Sequence, residues 1–225
     1  MSPTRLAVAF ALAVCFASAA GVRRAPAASP ATRQAKEFAQ AKGTPAGFPT
    51  AFEFELNGFS YRVAANGNGR RTKGDRTRRF NLRLDSGDLI EALRFALYEG
   101  DLLLFCGINH GDGGSGLVIR LEQPSMRALW RGHIPAFNVG EPLREGRSLY
   151  VTGIGFVGKM DLRTGEFDWQ HDDLYDTREG APKSFNSFET PELAGDAVLF
   201  RDAAVYNQRR TLVVNKKTGK IIRVE

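Results

Sequence analysis

The sequence predicts an all-β chain, a small array of about four four-stranded repeat units. Three observations predict it. Short runs alternate apolar and polar residues, as in Phe52, Phe54 and Leu56. Glycine turns at Gly100, Gly146 and Gly195 stand 46 and 49 residues apart, each before an apolar strand. The residues after each turn correspond from unit to unit, so the pattern repeats rather than merely alternates.

Residues 1–20 read as a signal peptide. Arg5 precedes the apolar run Leu6 to Phe16, which is short for a bilayer span, and Ala17 and Ala19 supply the small residues a signal peptidase requires. Leu12-Ala13-Val14-Cys15 is a poor lipidation box, because Val14 is bulky and apolar residues continue past Cys15. The expected location is therefore periplasmic or secreted, with no transmembrane segment after cleavage. Residues 21–50 are rich in Ala, Pro, Gly, Thr and Ser and read as a tether, with only Ala31 to Lys42 patterned for a short helix. Removing the leader leaves Cys106 as the one cysteine, so no intramolecular disulfide is expected and stability must come from burial over residues 51–225.

The folded part opens at Phe52, Phe54 and Leu56, followed by the hairpin signal Asn57-Gly58 and by Tyr61 and Val63. Gly67 to Arg79 then holds most of the formal charge of +6: Arg70, Arg71, Lys73, Arg76, Arg78 and Arg79 against Asp75 alone. That segment reads as a basic loop or hairpin tip. In an exported protein its partner would be an acidic protein, a glycan or an anionic lipid surface rather than nucleic acid.

The units follow. Leu102 to Phe105, Leu149 to Val151 and Val198 to Phe200 are first strands; Leu117 to Leu121, Gly158 to Leu162 and Leu212 to Val214 are the strands after each reversal. Closing turns are Pro124-Ser125, Thr164-Gly165 and Thr218-Gly219. Lead-ins also match, with Phe137-Asn138 before Pro142 and Phe185-Asn186 before Pro191. Leu82, Leu84 and Asp85-Ser86-Gly87-Asp88 are expected to be the strand and closing turn of a degenerate earlier copy. Four-stranded units at this spacing bury both faces only against their neighbours, the signature of a β-propeller-like array.

The best unit, Leu149 to Trp169 with Asp161, Thr164, Gly165 and Trp169, resembles the repeat of the PQQ-like (quinoprotein-type) and WD40-like β-propellers. Asn215, Thr218 and Gly219 match it in the last unit, with Arg223 in the Trp position; Glu122, Ser125 and Trp130 match it in an earlier one. The resemblance implies that Trp130 and Trp169 pack between units. It implies no quinone, because many such propellers are pure binding platforms, and the chain departs from the catalytic members in lacking an adjacent cysteine pair and a C-x-x-C-H haem site. No cofactor, metal or catalytic residue is assigned.

Gly153-x-Gly155-x-x-Gly158 and Gly111-x-Gly113-x-x-Gly116 match a dinucleotide fingerprint, but both lead into strands rather than the helix that would hold a pyrophosphate. They read as reversals. Asn109 to Ser115 offers one carboxylate, Asp112, thin provision for calcium. Ser115 lacks the G-x-S-x-G elbow, which would need Gly at the position of Leu117. His133 and His171 follow the closing tryptophans, and His171, Asp172, Asp173 and Tyr175 open the longest connection, a second candidate recognition segment. The function expected is an exported binding or scaffold module, monomer or dimer. The alternatives are a small hydrolase, lyase or quinone-dependent oxidoreductase, and a glycan-binding protein using Tyr175, Phe185 and Phe188.

Overall fold

The computed structural model describes residues 38–44, 49–175, 185–203 and 210–225. Its strands are β1 (Ala39–Gln40), β2 (Lys42–Gly43), β3 (Ala51–Leu56), β4 (Phe59–Ala64), β5 (Asn68–Lys73), β6 (Arg76–Asn81), β7 (Leu89–Tyr98), β8 (Asp101–Asn109) and β9 (Gly114–Leu121). They continue with β10 (Ala128–Ile134), β11 (Leu143–Glu145), β12 (Ser148–Gly153), β13 (Phe156–Asp161), β14 (Phe167–His171), β15 (Glu192–Ala194), β16 (Ala197–Arg201), β17 (Thr211–Asn215) and β18 (Ile221–Val224). Four antiparallel meanders result, in the orders β2-β3-β4-β5-β6, β1-β7-β8-β9-β10, β11-β12-β13-β14 and β15-β16-β17-β18. The chain is an all-β, propeller-like array of four sheets. The signal peptide expected over residues 1–20 lies outside the described residues.

Packing follows from the period-two alternation of strands whose two faces are both covered. On β8, Leu102, Leu104, Cys106 and Ile108 join the apolar cluster shared with the first sheet, whereas Leu103 and Phe105 join the cluster shared with the third. On β12, Leu149 and Val151 face the second sheet and Tyr150 faces the fourth. Three clusters thus join the four sheets in chain order; among the described residues no such cluster joins the fourth to the first.

Two boundaries differ from the sequence reading. Part of the expected tether is paired: β1 bonds to β7 (Ala39↔Phe95) and β2 to β3 (Lys42↔Glu53), so one short segment bridges the first two sheets, with Phe38 and Ala41 buried. No helix forms over 38–42, because Phe38 and Ala41 are held by sheet edges. The first unit also ends earlier than expected. Its closing strand is β6 and its closing turn Gly74-Asp75, while Asp85 to Asp88 forms the link into β7. The basic segment is therefore not a loop but the outer hairpin of the first sheet.

Candidate functional sites

The closing turns show why the repeat has its residues. Gly165 donates its N–H to the Asp161 carbonyl (2.8 Å) and has φ +79°; Gly219 does the same to Asn215 (2.9 Å) with φ +72°. Trp130 of the second sheet lies on Gly165, where an added Cβ would stand 2.5 Å from the indole, and its Nε1 donates to the Leu162 carbonyl at 3.0 Å. Trp169 of the third sheet lies on Gly219 with the same 2.5 Å clearance and donates to the Lys216 carbonyl at 3.0 Å. Each indole is thus clamped on the next unit's turn, and only glycine combines the positive φ with the close approach. Asp161 Oδ1 and Asn215 Oδ1 accept backbone N–H groups of the same turns, from Arg163 at 2.9 Å and from Thr218 at 2.9 Å. Thr164 and Thr218 are turn residues whose hydroxyls accept the N–H of Glu166 and Lys220.

The corresponding turn in the second sheet departs from this pattern. Met126 occupies the glycine position, with φ +60° and its N–H bonded to the Glu122 carbonyl at 2.7 Å, and its side chain is buried in the cluster between the first two sheets. No tryptophan reaches it from the first sheet. What reaches that turn is Arg71, whose Nη2 donates to the Pro124 carbonyl at 3.0 Å.

Strand alternation divides the six basic residues into two sets. Tyr61↔Arg71, Arg71↔Arg78 and Lys73↔Arg76 are cross-strand pairs, which puts Arg71, Lys73, Arg76 and Arg78 on the face turned to the second sheet. Arg70 and Arg79 lie on the opposite face, in one row with Lys42, Glu53 and Arg62. There Arg62 pairs with Glu53 at 2.6 Å, an exposed contact that contributes little. On the inner side a groove of about 660 Å³ is lined by Phe59, Arg71, Lys73, Arg76, Arg78 and Pro124, among others, and by no carboxylate. Arg71 is only 8% exposed; its guanidinium carbon lies 4.5 Å from the Phe59 ring centre, and Lys73 Nζ lies 4.8 Å from the same centre. Its Nη1 is buried and makes no hydrogen bond. The neighbouring Tyr61 hydroxyl accepts from Gln123 at 2.8 Å, and burial raises its pKa despite the opposing field of Arg71.

Among its described residues the second candidate segment does not converge. His171 Nε2 donates to the Gly219 carbonyl at 2.7 Å, and its ring lies tilted beside Trp169, so it fastens the third sheet to the fourth. Asp172 and Asp173 are exposed, and Tyr175 is 49% exposed with its backbone against Gly155. Phe185 and Phe188, expected as exposed ligand-stacking rings, are buried at 0% and 7% because their segment folds onto Phe200 and Tyr150 in the third interface. Both glycine runs are reversals: β12 ends at Gly153 and β13 begins at Phe156, while β8 ends at Asn109 and β9 begins at Gly114. Among the described residues no group of three His, Cys, Asp or Glu side chains is placed to hold a metal ion.

A cluster absent from the sequence reading stands at the β8–β9 reversal. His110 Nδ1 is 2.7 Å from Asp88 Oδ1, and its Nε2 is 2.7 Å from Ser115 Oγ. The register explains it. Leu89 pairs with Asn109, so Asp88 stands next to His110, and Ser115 lies across the reversal on β9.

No protein-family profile matches the chain, and no curated protein matches it. Among solved structures, it is similar to AztD from Citrobacter koseri, at 13% identity and a TM-score of 0.46, covering 81% of this chain and 48% of that one. BamB from Moraxella catarrhalis matches at 12% identity and a TM-score of 0.32, with 84% and 78% covered. A quinohemoprotein alcohol dehydrogenase, ADHIIG from Pseudomonas putida HK5, matches at 10% identity and a TM-score of 0.47, with 90% and 38% covered. The chain spans about half the length of AztD. Likenesses this distant leave the fold resting on the four sheets and the Trp–Gly clamps described above.

Proposed function

We propose that the protein is an exported binding module that takes an anionic group of a partner in the groove between its first two sheets. Export rests on the leader read from residues 1–20. The observation that carries the binding reading is Arg71. A guanidinium this buried, with one nitrogen satisfied by Pro124 and the other unbonded, faces desolvation without full compensation. Lys73, Arg76 and Arg78 add like charge along the same groove, so a carboxylate, sulfate or phosphate entering it would pair with these cations and relieve their repulsion of Arg71. Phe59 beneath Arg71 and Lys73 holds both cations in place.

The test is titration of the purified chain with a labelled poly-glutamate peptide, a sulfated oligosaccharide and phosphatidylglycerol vesicles, at low and physiological salt. At least one probe should bind, more weakly as salt rises. Arg71→Gln together with Lys73→Gln should weaken that binding about tenfold or more, the equivalent of losing one charged hydrogen bond. Absence of salt-dependent binding to all three probes, or binding unchanged in the double variant, overturns the reading.

A further inference from the structure

We propose that Ser115 is a nucleophile that hydrolyses short-chain acyl esters, with His110 as its base and Asp88 as the residue that positions the imidazole. The inference is independent of the basic groove. It rests on the two 2.7 Å contacts, which run in series through one ring. A carboxylate can only accept, so Asp88 selects the tautomer with hydrogen on Nδ1 and leaves Nε2 as an acceptor facing the Ser115 hydroxyl. That is the order of groups needed to remove a proton from a serine as it attacks a carbonyl.

The fold holds these groups without using loop chemistry alone. Ser115 is the second residue of β9 and pairs with Ile108, so its Cα is fixed by the sheet. His110 donates its backbone N–H to the Gly113 carbonyl at 2.9 Å, and Gly111 donates to Asn109 Oδ1 at 2.8 Å, which closes the reversal around the ring. Asp88 is anchored by its N–H to the Asp85 carbonyl at 3.1 Å. The Asp88 and His110 side chains are 14% and 34% exposed, so the imidazole edge meets solvent while the carboxylate behind it is shielded.

Access to the serine sets the substrate class. Ser115 is only 6% exposed, which excludes a long acyl chain and makes a small one such as acetyl the class to test. At the reversal that carries His110, a Cβ added at Gly111 would meet nothing within 4 Å, whereas one at Gly113 would stand 2.7 Å from the half-exposed Phe137 ring. In the first step Ser115 Oγ bonds to the ester carbonyl carbon while its proton passes to His110 Nε2. The carbonyl–alkoxy bond then breaks and the alcohol leaves with that proton. Water next gives a proton to His110 and adds to the acyl-serine, and Ser115 leaves with the proton, so one ester and one water yield one acid and one alcohol.

The test uses a fluorophosphonate probe on the folded full-length chain, with the adduct mapped by tandem mass spectrometry, and p-nitrophenyl acetate as substrate. One adduct on Ser115 is expected in native protein and none in urea-unfolded protein. Asp88→Asn should slow both labelling and hydrolysis by about 10²–10⁴-fold with the far-ultraviolet circular dichroism unchanged, since it disturbs the tautomer rather than the fold. The p-nitrophenyl palmitate analogue should turn over far more slowly than the acetate. The wild-type mapping needs no variant to fold. No adduct at Ser115, an equal adduct in urea, or labelling unaffected by Asp88→Asn would each reduce the cluster to a polar clasp and overturn the proposal.

Discussion

Trp169→Ala tests the joint between the third and fourth sheets. The indole is half buried, lies on Gly219, donates to Lys216 and meets Phe200 edge-on at 6.4 Å between ring centres. A half-buried tryptophan removes roughly 100 Å² from water, worth about 2.5 kcal/mol at about 25 cal/mol/Å². The hydrogen bond adds about 1 kcal/mol, part of which water returns to the half-exposed Lys216 carbonyl. The expected loss is therefore about 3 kcal/mol, read from urea titrations followed by circular dichroism. Trp169→Phe, which keeps most of the area and loses the N–H, should cost about 1 kcal/mol. The sharper control is Gly219→Ala. At φ +72° an alanine is strained by about 1–2 kcal/mol, and its Cβ would also collide with the indole. In the double variant the collision disappears, so the two effects should fall short of additivity by about 1 kcal/mol or more. A loss below about 1 kcal/mol for Trp169→Ala, or strict additivity with Gly219→Ala, would refute the clamp.

Burial raises the Cys106 pKa from 9.0 to about 12, so the unfolded chain ionises first; its stabilising contribution is whole below pH 9 and is lost as pH rises through 12. The urea midpoint should accordingly fall between pH 8 and pH 10.5, and Ellman's reagent should react with Cys106 only as fast as the chain opens. Deleting residues up to Lys42 while keeping the rest should destabilise the first two sheets, through loss of Phe38, Ala41 and the β1–β7 pairing; an unchanged melting temperature would show that this bridge contributes nothing. Thr152 is fully buried with its hydroxyl unbonded, so Thr152→Val, nearly the same shape, should stabilise by about 1 kcal/mol in the same urea assay.

The sequence made the last two units plain because their clamps use residues with little freedom. Thr164-Gly165 and Thr218-Gly219 mark turns that demand positive φ, and a tryptophan upstream must rest on each glycine. The first unit was hidden for the converse reason. Its inner face carries Arg71 and Lys73 of β5 over Phe59 and Arg76 and Arg78 of β6, so the outer hairpin lacks apolar alternation and reads as a solvated tip. Phe38 and Ala41 were invisible in an Ala- and Pro-rich setting, since two single burials make no period. The Asp88–His110–Ser115 contacts arise from the register between the start of β7 and the end of β8, which no local spacing encodes.

The same substitution that hides the first unit explains why a groove lies there. At the second and third interfaces a tryptophan bonds to a carbonyl in the neighbouring turn and fills the space above a glycine. At the first interface Met126 fills the glycine position from below, and Arg71 bonds to Pro124 from across the gap. A guanidinium satisfies the carbonyl as an indole N–H does, but it is thinner, carries charge and has donors left over. The space an indole would occupy is consequently left open and lined with cations. Arg78, third on the closing strand in the row Tyr61–Arg71–Arg78 that matches Tyr150–Lys159–Trp169, holds the tryptophan's register position, so Arg78→Trp separates the two roles: it should keep or raise stability in urea while weakening salt-dependent binding of the anionic probes. Binding that is unchanged in a stable Arg78→Trp variant would show that the groove is not the site.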